Sequence, residues 1–347
     1  MNRRPLEDRR IPSQRSAIMG VALMFVASAC GDNAAMRGAD RAAAGGPLIV
    51  YNAGSLAKPL RVALDSFAAL KGVRIEQESA GSLESARKLT ELNKIPDVIA
   101  LADHEVFPQL LIPGHVTWYV QFARNRMVLA FTDKSCHASE ITRDNWLDVI
   151  GRAGVEVGRA DPTLDPDGYR TLLVWQLAEH HYGRPGLADT LLADSPRRNV
   201  RSKETDLVAL LQVGEFDYIW SYESIALAAG LRYLVLPKEI DLSDPAESTG
   251  YARASVRIPG ASQGDSVTFR GTPIVYGLSI PKEAPHPAMA EEFVSWILSA
   301  EGRRVLRTAQ LQALDAPRLV GDGASDVVRR AVDASAVRAP DTDSDAG

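Results

Sequence analysis

The sequence is poor in cysteine, with only Cys30 and Cys136 among its 347 residues. A disulfide framework and a multi-cysteine zinc site are therefore excluded. The Walker phosphate loop and the His-Glu-x-x-His motif of metalloproteases are also missing. No long internal repeat occurs, so a solenoid or propeller is not expected. No motif argues for catalysis or for a resident cofactor, and we predict that the protein is not an enzyme and has no cofactor.

The sequence also lacks an apolar run that is long enough for a membrane-spanning helix. The N-terminal run extends only from Ala17 to Val26, whereas a spanning helix needs about 20 residues. It follows five arginines and precedes small residues, which is typical of an export signal. The segment Val26–Cys30 resembles a bacterial lipobox. We therefore predict a signal peptide over residues 1–29, lipidation of Cys30 and a flexible tether over 30–46, with plain secretion as the alternative.

Basic residues are outnumbered, at 39 Lys and Arg against 44 Asp and Glu, which gives a formal charge of −5 at pH 7. Cleavage before Cys30 would remove five basic and two acidic residues, leaving 34 against 42 and a charge of −8. An acidic protein is a poor partner for nucleic acid. It also has no overall field that attracts an anion, so any anion site must be built locally from donors and dipoles.

From Pro47 onward, short β-branched runs alternate with helical patterns, which predicts parallel βαβ units and an α/β fold. The length and the order of the elements predict two lobes. We place lobe 1 at residues 47–130 plus 275–320 and lobe 2 at 131–274, with crossing strands near 130 and 275. Residues 321–347 are small and acidic, so we expect a disordered tail.

Two predicted strands of the first lobe are followed by a Gly-Ser turn, Gly54-Ser55 and Gly81-Ser82. Either serine is well explained as a helix N-cap. Together, the turns would bring two helix N-termini to one edge of a parallel sheet, where the ligands of open α/β folds bind. Free N–H groups at a helix N-terminus attract an anion. From these residues alone, capping and anion binding both remain open.

Two acidic segments mark the second half of the chain. Asp161–Arg170 reads Asp-Pro-Thr-Leu-Asp-Pro-Asp-Gly-Tyr-Arg, but a calcium loop would need an acid at Thr163. Turns capped by Asp and Pro also explain it. Glu204 is expected at a helix start, where the dipole favours a carboxylate, and Tyr222 follows Ser221 at the end of a short strand. Singly, such residues are more often caps and core than ligands.

Taken together, residues 47–319 resemble the tungstate/molybdate-binding proteins of ABC transporters, within the type II periplasmic-binding-protein fold. The resemblance is carried by ordered blocks: Ala53–Leu56, Gly81–Leu92, Asp97–Ala100, Asp161–Arg170, Lys203–Leu211, Glu239–Ser243 and Gly271–Pro281. It implies two lobes, each a mainly parallel sheet flanked by helices, joined by two crossing strands. It also implies a hinge motion that closes the lobes on one ligand.

The resemblance further implies that both lobes bind a single oxyanion, through Gly54, Ser55, Ser82, Thr163, Leu164, Asp165, Glu204 and Tyr222. Asp165 and Glu204 would be oxygen ligands of the tungsten or molybdenum centre, with Asp161 as a rival to Asp165. Two positions depart from the family pattern. Asp167 stands where the family often has Cys, and Ser221 stands where a Glu commonly precedes the tyrosine.

The two carboxylates distinguish this ligand class from sulfate. Two unit charges of like sign 4 Å apart repel by about 4 kcal/mol at an effective dielectric of about 20. A sulfate or phosphate site would avoid them or add basic residues to offset them. Tungsten and molybdenum can instead accept carboxylate oxygens, as the family precedent implies. Tungstate or molybdate is therefore the predicted ligand.

The predicted partners are an ABC permease and its ATPase, and the predicted location is extracytoplasmic, with the membrane contacted only through the lipid on Cys30. We expect a monomer and no nucleic acid. One alternative is the same fold binding sulfate, phosphate or a metal cation, for which oxygen ligands would also serve. Another is an enzyme that uses Asp165 and Glu204 as an acid/base pair.

Overall fold

The structure, a computed structural model, describes residues 46–260 and 264–336. The predicted signal peptide, the lipidation of Cys30 and nearly all of the tether lie outside these residues. Within them, no helix is both long enough and apolar enough to cross a membrane. The strands are β1 (Leu48–Ala53), β2 (Ile75–Ala80), β3 (Val98–Leu101), β4 (Trp118–Arg124), β5 (Met127–Phe131), β6 (Val157–Ala160), β7 (Val200–Arg201), β8 (Tyr218–Tyr222), β9 (Arg232–Val235), β10 (Ser255–Pro259), β11 (Ser266–Arg270), β12 (Val275–Ser279) and β13 (Gln312–Gly321).

Helices follow most of the strands. They are α1 (Ala57–Lys71), α2 (Ser82–Thr90), α3 (Trp146–Ile150), α4 (Pro166–Tyr182), α5 (Leu187–Ala193), α6 (Glu204–Val213), α7 (Glu223–Ala228), α8 (Ser248–Tyr251), α9 (Pro287–Leu298), α10 (Ala300–Thr308) and α11 (Asp326–Ala336). Helix α1 shows why the pattern predicts them. Its apolar residues Leu60, Leu64 and Phe67 are buried, and it ends at Gly72, whose φ of 69° is the left-handed conformation that favours glycine.

The first sheet has six strands in the order β13-β4-β12-β3-β1-β2. Strand β1 pairs in parallel with β2 and β3, as the alternation of strands and helices predicts. Strand β12 lies between β3 and β4 and is antiparallel to both, and β13 is antiparallel to β4. We call this sheet, with the helices packed on it, the first lobe.

The second sheet has five strands in the order β7-β6-β8-β5-β9, and we call it with its helices the second lobe. Strand β6 is parallel to β7 and β8, whereas β5 is antiparallel to β8 and β9. The predicted α/β fold with two sheets flanked by helices is confirmed. Each sheet is mixed, because β5 and β12 enter from the other lobe and no crossover helix fixes their direction.

The chain passes between the lobes at two adjacent points. Residues 125–126 join β4 to β5, and residues 271–274 lead back to β12. The backbone N–H of Asn125 donates to the carbonyl of Ile274 over 3.2 Å, and its side-chain amide donates to the hydroxyl of Tyr276 over 2.8 Å. The two crossings are thus bonded to each other. The lobe boundaries drawn from the sequence remain predictions, since all of the described residues fall within one compact unit.

The C-terminal segment differs from the expected disordered tail. Residues up to Gly321 belong to β13, and Asp326–Ala336 form helix α11, which packs against α9. Val328 and Val332 of α11 are buried, four residues apart on one face. The prediction of disorder is therefore wrong for residues 321–336, because these apolar residues cover the first lobe. Residues 337–347 lie outside the described range.

Candidate functional site

The predicted site residues lie where the carboxyl ends of strands from both lobes face each other. Ser55 follows β1, Asp165 lies in the turn after β6, Glu204 begins α6 directly beyond β7, and Tyr222 ends β8. All four are buried, and Glu204 and Tyr222 have no exposed surface. Open α/β sheets bind ligands at this end of their strands.

Ser55 lies in a short 3₁₀ turn, Gly54–Leu56, and does not cap helix α1. Its hydroxyl is enclosed and has no partner at normal hydrogen-bond geometry in the described part of the chain, although the Tyr276 hydroxyl lies beside it. A Cβ atom added to Gly54 would lie 3.1 Å from Oε1 of Glu204, so the backbone of the first lobe approaches this carboxyl closely. The explanation of Ser55 as an N-cap is therefore wrong, and its hydroxyl is left available in the closed cleft.

The second Gly-Ser turn makes direct bonds across the cleft. Helix α2 points its N-terminus at the carbonyl of Leu164, which accepts hydrogen bonds from the N–H groups of Leu83 (3.2 Å) and Glu84 (3.3 Å). A Cβ on Gly81 would lie 2.3 Å from the same oxygen, which explains the glycine. Ser82 does not cap the helix either, because its hydroxyl accepts from the N–H of Ala102 over 2.9 Å. The predicted anion cradle at this helix is thus largely occupied by protein.

Three carboxyl groups meet in the cleft, those of Asp165, Asp167 and Glu204. All are buried, and five of their six oxygens are enclosed without a partner at normal hydrogen-bond geometry in the described residues, although Asp165 lies close to Glu204 and Asp167 lies close to the Ala160 backbone. The sixth, Oδ1 of Asp165, accepts from the N–H of Asp167 over 2.9 Å. Burial, followed by the neighbouring Glu204 carboxyl, raises the pKa of both aspartates well above the usual range. Buried acceptors without hydrogen bonds cost free energy, so a ligand that bonds to these oxygens would be stabilised in the cleft.

The turn before α4 separates Asp161 from Asp165. Oδ1 of Asp161 accepts from the N–H (2.8 Å) and the hydroxyl (2.7 Å) of Thr163, so Asp161 stabilises the turn. The carbonyl of Thr163 accepts from Arg87 of the first lobe over 2.8 Å. Thr163 and Leu164 therefore have their polar groups committed to the turn and to lobe closure. Their contact with an anion remains a prediction.

A buried network links Tyr222 to the first lobe. Arg170 donates to the Tyr222 hydroxyl and to the carbonyl of Ala102, each over 2.8 Å, and forms a 3.0 Å ion pair with Asp103. The Tyr169 hydroxyl donates to the same carboxylate over 2.5 Å. Burial, the largest single effect, raises the pKa of Asp103, but Arg170 together with His104 and the hydrogen bonds that Asp103 accepts outweighs it, so the pKa is lowered. The network holds Tyr222 in place and joins the lobes.

The sequence interpretation missed Asp103, Arg170, Asp167 and Tyr276 as residues of this site. Asp103 lies two residues beyond the end of β3, as Ser55 lies two residues beyond the end of β1, so the strand-end rule was a sufficient signal. Tyr276 is the second residue of β12 and lies beside Ser55, and no sequence pattern marks it. Ser221, one of the two departures from the family pattern, is buried with an unpartnered hydroxyl on the opposite side of β8 from Tyr222.

The raised pKa values predict that the ligand-free protein becomes less stable as the pH rises above about 4. The unfolded aspartates lose their protons near pH 4, whereas Asp165 and Asp167 keep theirs to higher pH in the fold. Their contribution is therefore complete below about pH 4 and is lost as pH rises through the raised values. Urea unfolding at pH 5, 6, 7 and 8 measures this. Asp167→Asn should flatten the profile, and a free energy of unfolding that increases with pH would contradict it.

The sequence of this chain is similar to those of known solute-binding proteins. A model of the family described as bacterial extracellular solute-binding protein matches residues 48–309. The chain belongs to this family. A relative in Petrotoga mobilis, named as an uncharacterized solute-binding protein, is 39% identical over 273 residues, covering 78% of this chain and 85% of the relative. The molybdate/tungstate-binding protein WtpA of Pyrococcus abyssi is 34% identical over 303 residues, covering 79% and 87%.

Solved structures show the same fold for this solute-binding protein. The periplasmic molybdate-binding protein of Azotobacter vinelandii aligns with 76% of this chain and 98% of its own, with a TM-score of 0.55 at 17% identity. The sulfate-binding protein SubI of Mycobacterium tuberculosis aligns with a TM-score of 0.57 at 14% identity, covering 83% and 91%. The predicted type II periplasmic-binding-protein fold is thus confirmed. At these identities, the likeness concerns fold alone.

One enzyme-like motif is present in the solute-binding protein but lies in the wrong context. Residues 260–264 read Gly-Ala-Ser-Gln-Gly, which matches the Gly-x-Ser-x-Gly pattern of a nucleophile elbow. A nucleophile elbow joins a strand to a helix, whereas this segment joins the antiparallel strands β10 and β11. Residues 261–263 lie outside the described range. The relatives are likewise solute-binding proteins rather than enzymes.

Proposed function

We propose that this solute-binding protein captures tungstate or molybdate between its lobes and delivers it to an ABC permease. The observation that carries the proposal is the buried cluster of Asp165, Asp167 and Glu204, whose five enclosed oxygens lack a well-formed hydrogen bond, with the buried hydroxyl of Ser55 next to Gly54, the residue that approaches Glu204. The named relative in Pyrococcus abyssi binds the same two anions. In this chain, Ser55 would donate to an oxygen of the anion, and Asp165 and Glu204 would be ligands of its metal centre.

Asp165 would lose its proton on ligating the metal centre, and the cluster would then be anionic, which favours a metal-centred anion over a purely hydrogen-bonded one. No basic side chain within ion-pair distance offsets Glu204 or Asp165 in the described part of the chain, since Arg170 pairs with Asp103. A sulfate or phosphate would therefore meet carboxyl groups without a nearby cation, an arrangement that such sites avoid. An expanded coordination shell around tungsten or molybdenum would use the same oxygens as ligands.

The alternatives are less well supported by the geometry. Across residues 46–260 and 264–336, no group of three or more His, Cys, Asp or Glu side chains is placed to hold a metal cation. An acid/base enzyme would need a substrate-specific motif beside Asp165 and Glu204, and the relatives that match this chain are solute-binding proteins. Export and anchoring through Cys30 are part of the proposal and concern residues outside the described range.

Titration of the purified mature protein with tungstate, molybdate, sulfate and phosphate tests the ligand. Tungstate and molybdate should bind tightly, and sulfate and phosphate at least about 100-fold more weakly, a difference of about 2.8 kcal/mol. An X-ray absorption spectrum at the metal edge of the bound anion should report more than four oxygen ligands. Equal affinity for all four anions, or a purely tetrahedral spectrum, contradicts the proposal.

Ser55→Ala should weaken tungstate binding about tenfold and leave the free energy of unfolding nearly unchanged, because the hydroxyl has no partner in the ligand-free fold. Ser82→Ala is the informative contrast. It removes the acceptor for the Ala102 N–H and should cost about 1 to 3 kcal/mol of stability. Calorimetric titration and urea unfolding separate the two effects. Unchanged tungstate affinity in Ser55→Ala would remove this serine from the site.

A further inference from the structure

The second lobe contains a cavity that is separate from the cleft between the lobes. Its volume is about 280 Å³, and Arg159, Trp175 and Trp220 are among its lining residues. None of the residues proposed above to bind the oxyanion lines it. Pockets for small molecules start at roughly 300 Å³, so the cavity has the size for a compact ligand.

Arg159 places a positive charge in this cavity without an acidic partner. Its side chain is almost fully buried, at 8% exposure. Nε donates to the Ser195 hydroxyl over 2.8 Å and Nη1 to the Ala160 carbonyl over 3.2 Å, while Nη2 makes no hydrogen bond in the described residues. Burial lowers the pKa of Arg159, although the more distant Asp161 and Asp167 act in the opposite direction. A buried charge without a close counter-ion is costly, so an external anion would stabilise it.

The other arginines of the cavity differ from Arg159 in this respect. Arg152 pairs with Glu140 over 2.7 Å, and Arg198 pairs with Glu156 over 3.0 Å. Both are much more exposed than Arg159. The two exposed guanidinium groups, those of Arg152 and Arg198, therefore have carboxylate partners, whereas the buried guanidinium of Arg159 has no carboxylate within ion-pair distance in the described residues. This is the arrangement of a binding group rather than of a surface ion pair.

The walls of the cavity define the shape and the charge of the ligand. Trp175 and Trp220 pack edge to face with ring centroids 6.2 Å apart, and the Arg159 guanidinium lies 5.9 Å from the Trp175 ring. Such walls suit a flat apolar body. Glu156 and Asp194 also line the cavity, so a second negative charge on the ligand would be repelled. One carboxylate on a flat body satisfies both conditions.

We propose that this cavity binds a small, flat monocarboxylate, whose carboxylate pairs with the fork of Arg159 and whose apolar body lies against Trp175 and Trp220. The planar guanidinium matches a carboxylate with two parallel hydrogen bonds. The solute-binding protein would then carry a second ligand, of a class different from the oxyanion in the cleft. The site does not depend on the identity of that oxyanion.

Benzoate and its neutral isostere benzamide test the proposal on the full mature protein. Benzoate should bind saturably and change the tryptophan fluorescence, whereas benzamide should bind about tenfold or more weakly, because it lacks the charge that Arg159 requires. Isothermal titration gives both affinities. Equal binding of the two compounds, displacement of benzoate by sulfate, or no saturable benzoate binding would overturn the proposal.

Arg159→Gln and Arg184→Gln compare the buried arginine of the cavity with an exposed arginine that does not line it. The first should lower benzoate affinity about tenfold or more, whereas the second should change it less than about twofold, because Arg184 is exposed and already paired with Asp148. Circular dichroism and cooperative urea unfolding check that each variant is folded. Benzoate affinity in folded Arg159→Gln equal to that of the wild type rules out the site, and if the variant does not fold, the benzoate and benzamide comparison still decides.

Discussion

Replacing Glu204 by glutamine is expected to lower tungstate affinity about 100-fold or more and to raise sulfate affinity. Even residues that only support a metal ligand change affinity about 10- to 100-fold, so loss of a direct ligand should cost at least that much. For sulfate the effect has the opposite sign. Removing one charge 4 Å from an anion relieves about 4 kcal/mol of repulsion per unit-charge pair, or nearly three orders of magnitude. Parallel titrations with the two anions measure both changes.

The same variant should keep or increase the stability of the ligand-free protein. Both oxygens of Glu204 are enclosed beside Asp165 and Asp167, so the substitution replaces one of three neighbouring buried acidic groups by a neutral amide. Asp206→Asn is the matched control, since Asp206 lies in the same first turn of α6 but is partly exposed. It should change neither affinity by more than about twofold. A loss of tungstate and sulfate affinity together in Glu204→Gln would show general damage to the cleft.

Replacing Arg170 by methionine is expected to lower the free energy of unfolding by about 3 to 5 kcal/mol, because Asp103 would remain buried without its counter-ion. The two side chains belong to different lobes, so the substitution should also favour an open protein. Urea unfolding measures the first effect, and small-angle X-ray scattering measures the increase in radius of gyration. Tungstate affinity should fall in proportion to the closed fraction that is lost.

The double variant Asp103→Asn/Arg170→Met separates the ion pair from simple packing. It should lose less stability than the sum of the two single variants, because neither charge is left unpaired. Arg184→Met is the control for an exposed pair, since Arg184 and Asp148 are both more than half exposed at 3.5 Å. That change should cost no more than about 1 kcal/mol. If Arg170→Met also cost no more than about 1 kcal/mol, the buried ion pair between Asp103 and Arg170 would not be what stabilises the contact between the lobes.

Periodicity and strand-end rules predict much of the fold and part of the site. The apolar face of α1 and the left-handed Gly72 follow directly from spacing, because these are local constraints. The alternation of strands and helices predicts the parallel pairs β1–β2 and β1–β3 for the same reason. The antiparallel position of β12 between β3 and β4 arises because the chain returns to the first lobe from a distant part of the sequence. No local pattern encodes that pairing.

In the site, too, local sequence patterns predict some residues but not those whose role depends on a distant part of the chain. Ser55 and Glu204 are marked by their positions at strand ends and helix starts, and the structure brings them together through Gly54. The roles of Leu164 and Arg170 are not marked, since each depends on a partner in the other lobe. Helix N-capping, a reasonable expectation for Ser82, does not occur because Gly81 is the N-cap and Ser82 is the first helical residue, whose hydroxyl accepts from the Ala102 N–H.

The order of strands in the two sheets has a consequence for the route by which the chain folds. All five strands of the second sheet come from one continuous stretch, residues 127–235, so that sheet can assemble as soon as this stretch is available. The first sheet is split in sequence, because β3 and β4 are bridged only by β12, from Val275–Ser279. Its closure therefore involves high contact order, which slows folding. A chain emerging N-terminus first would complete its second lobe while its first lobe still lacked a central strand.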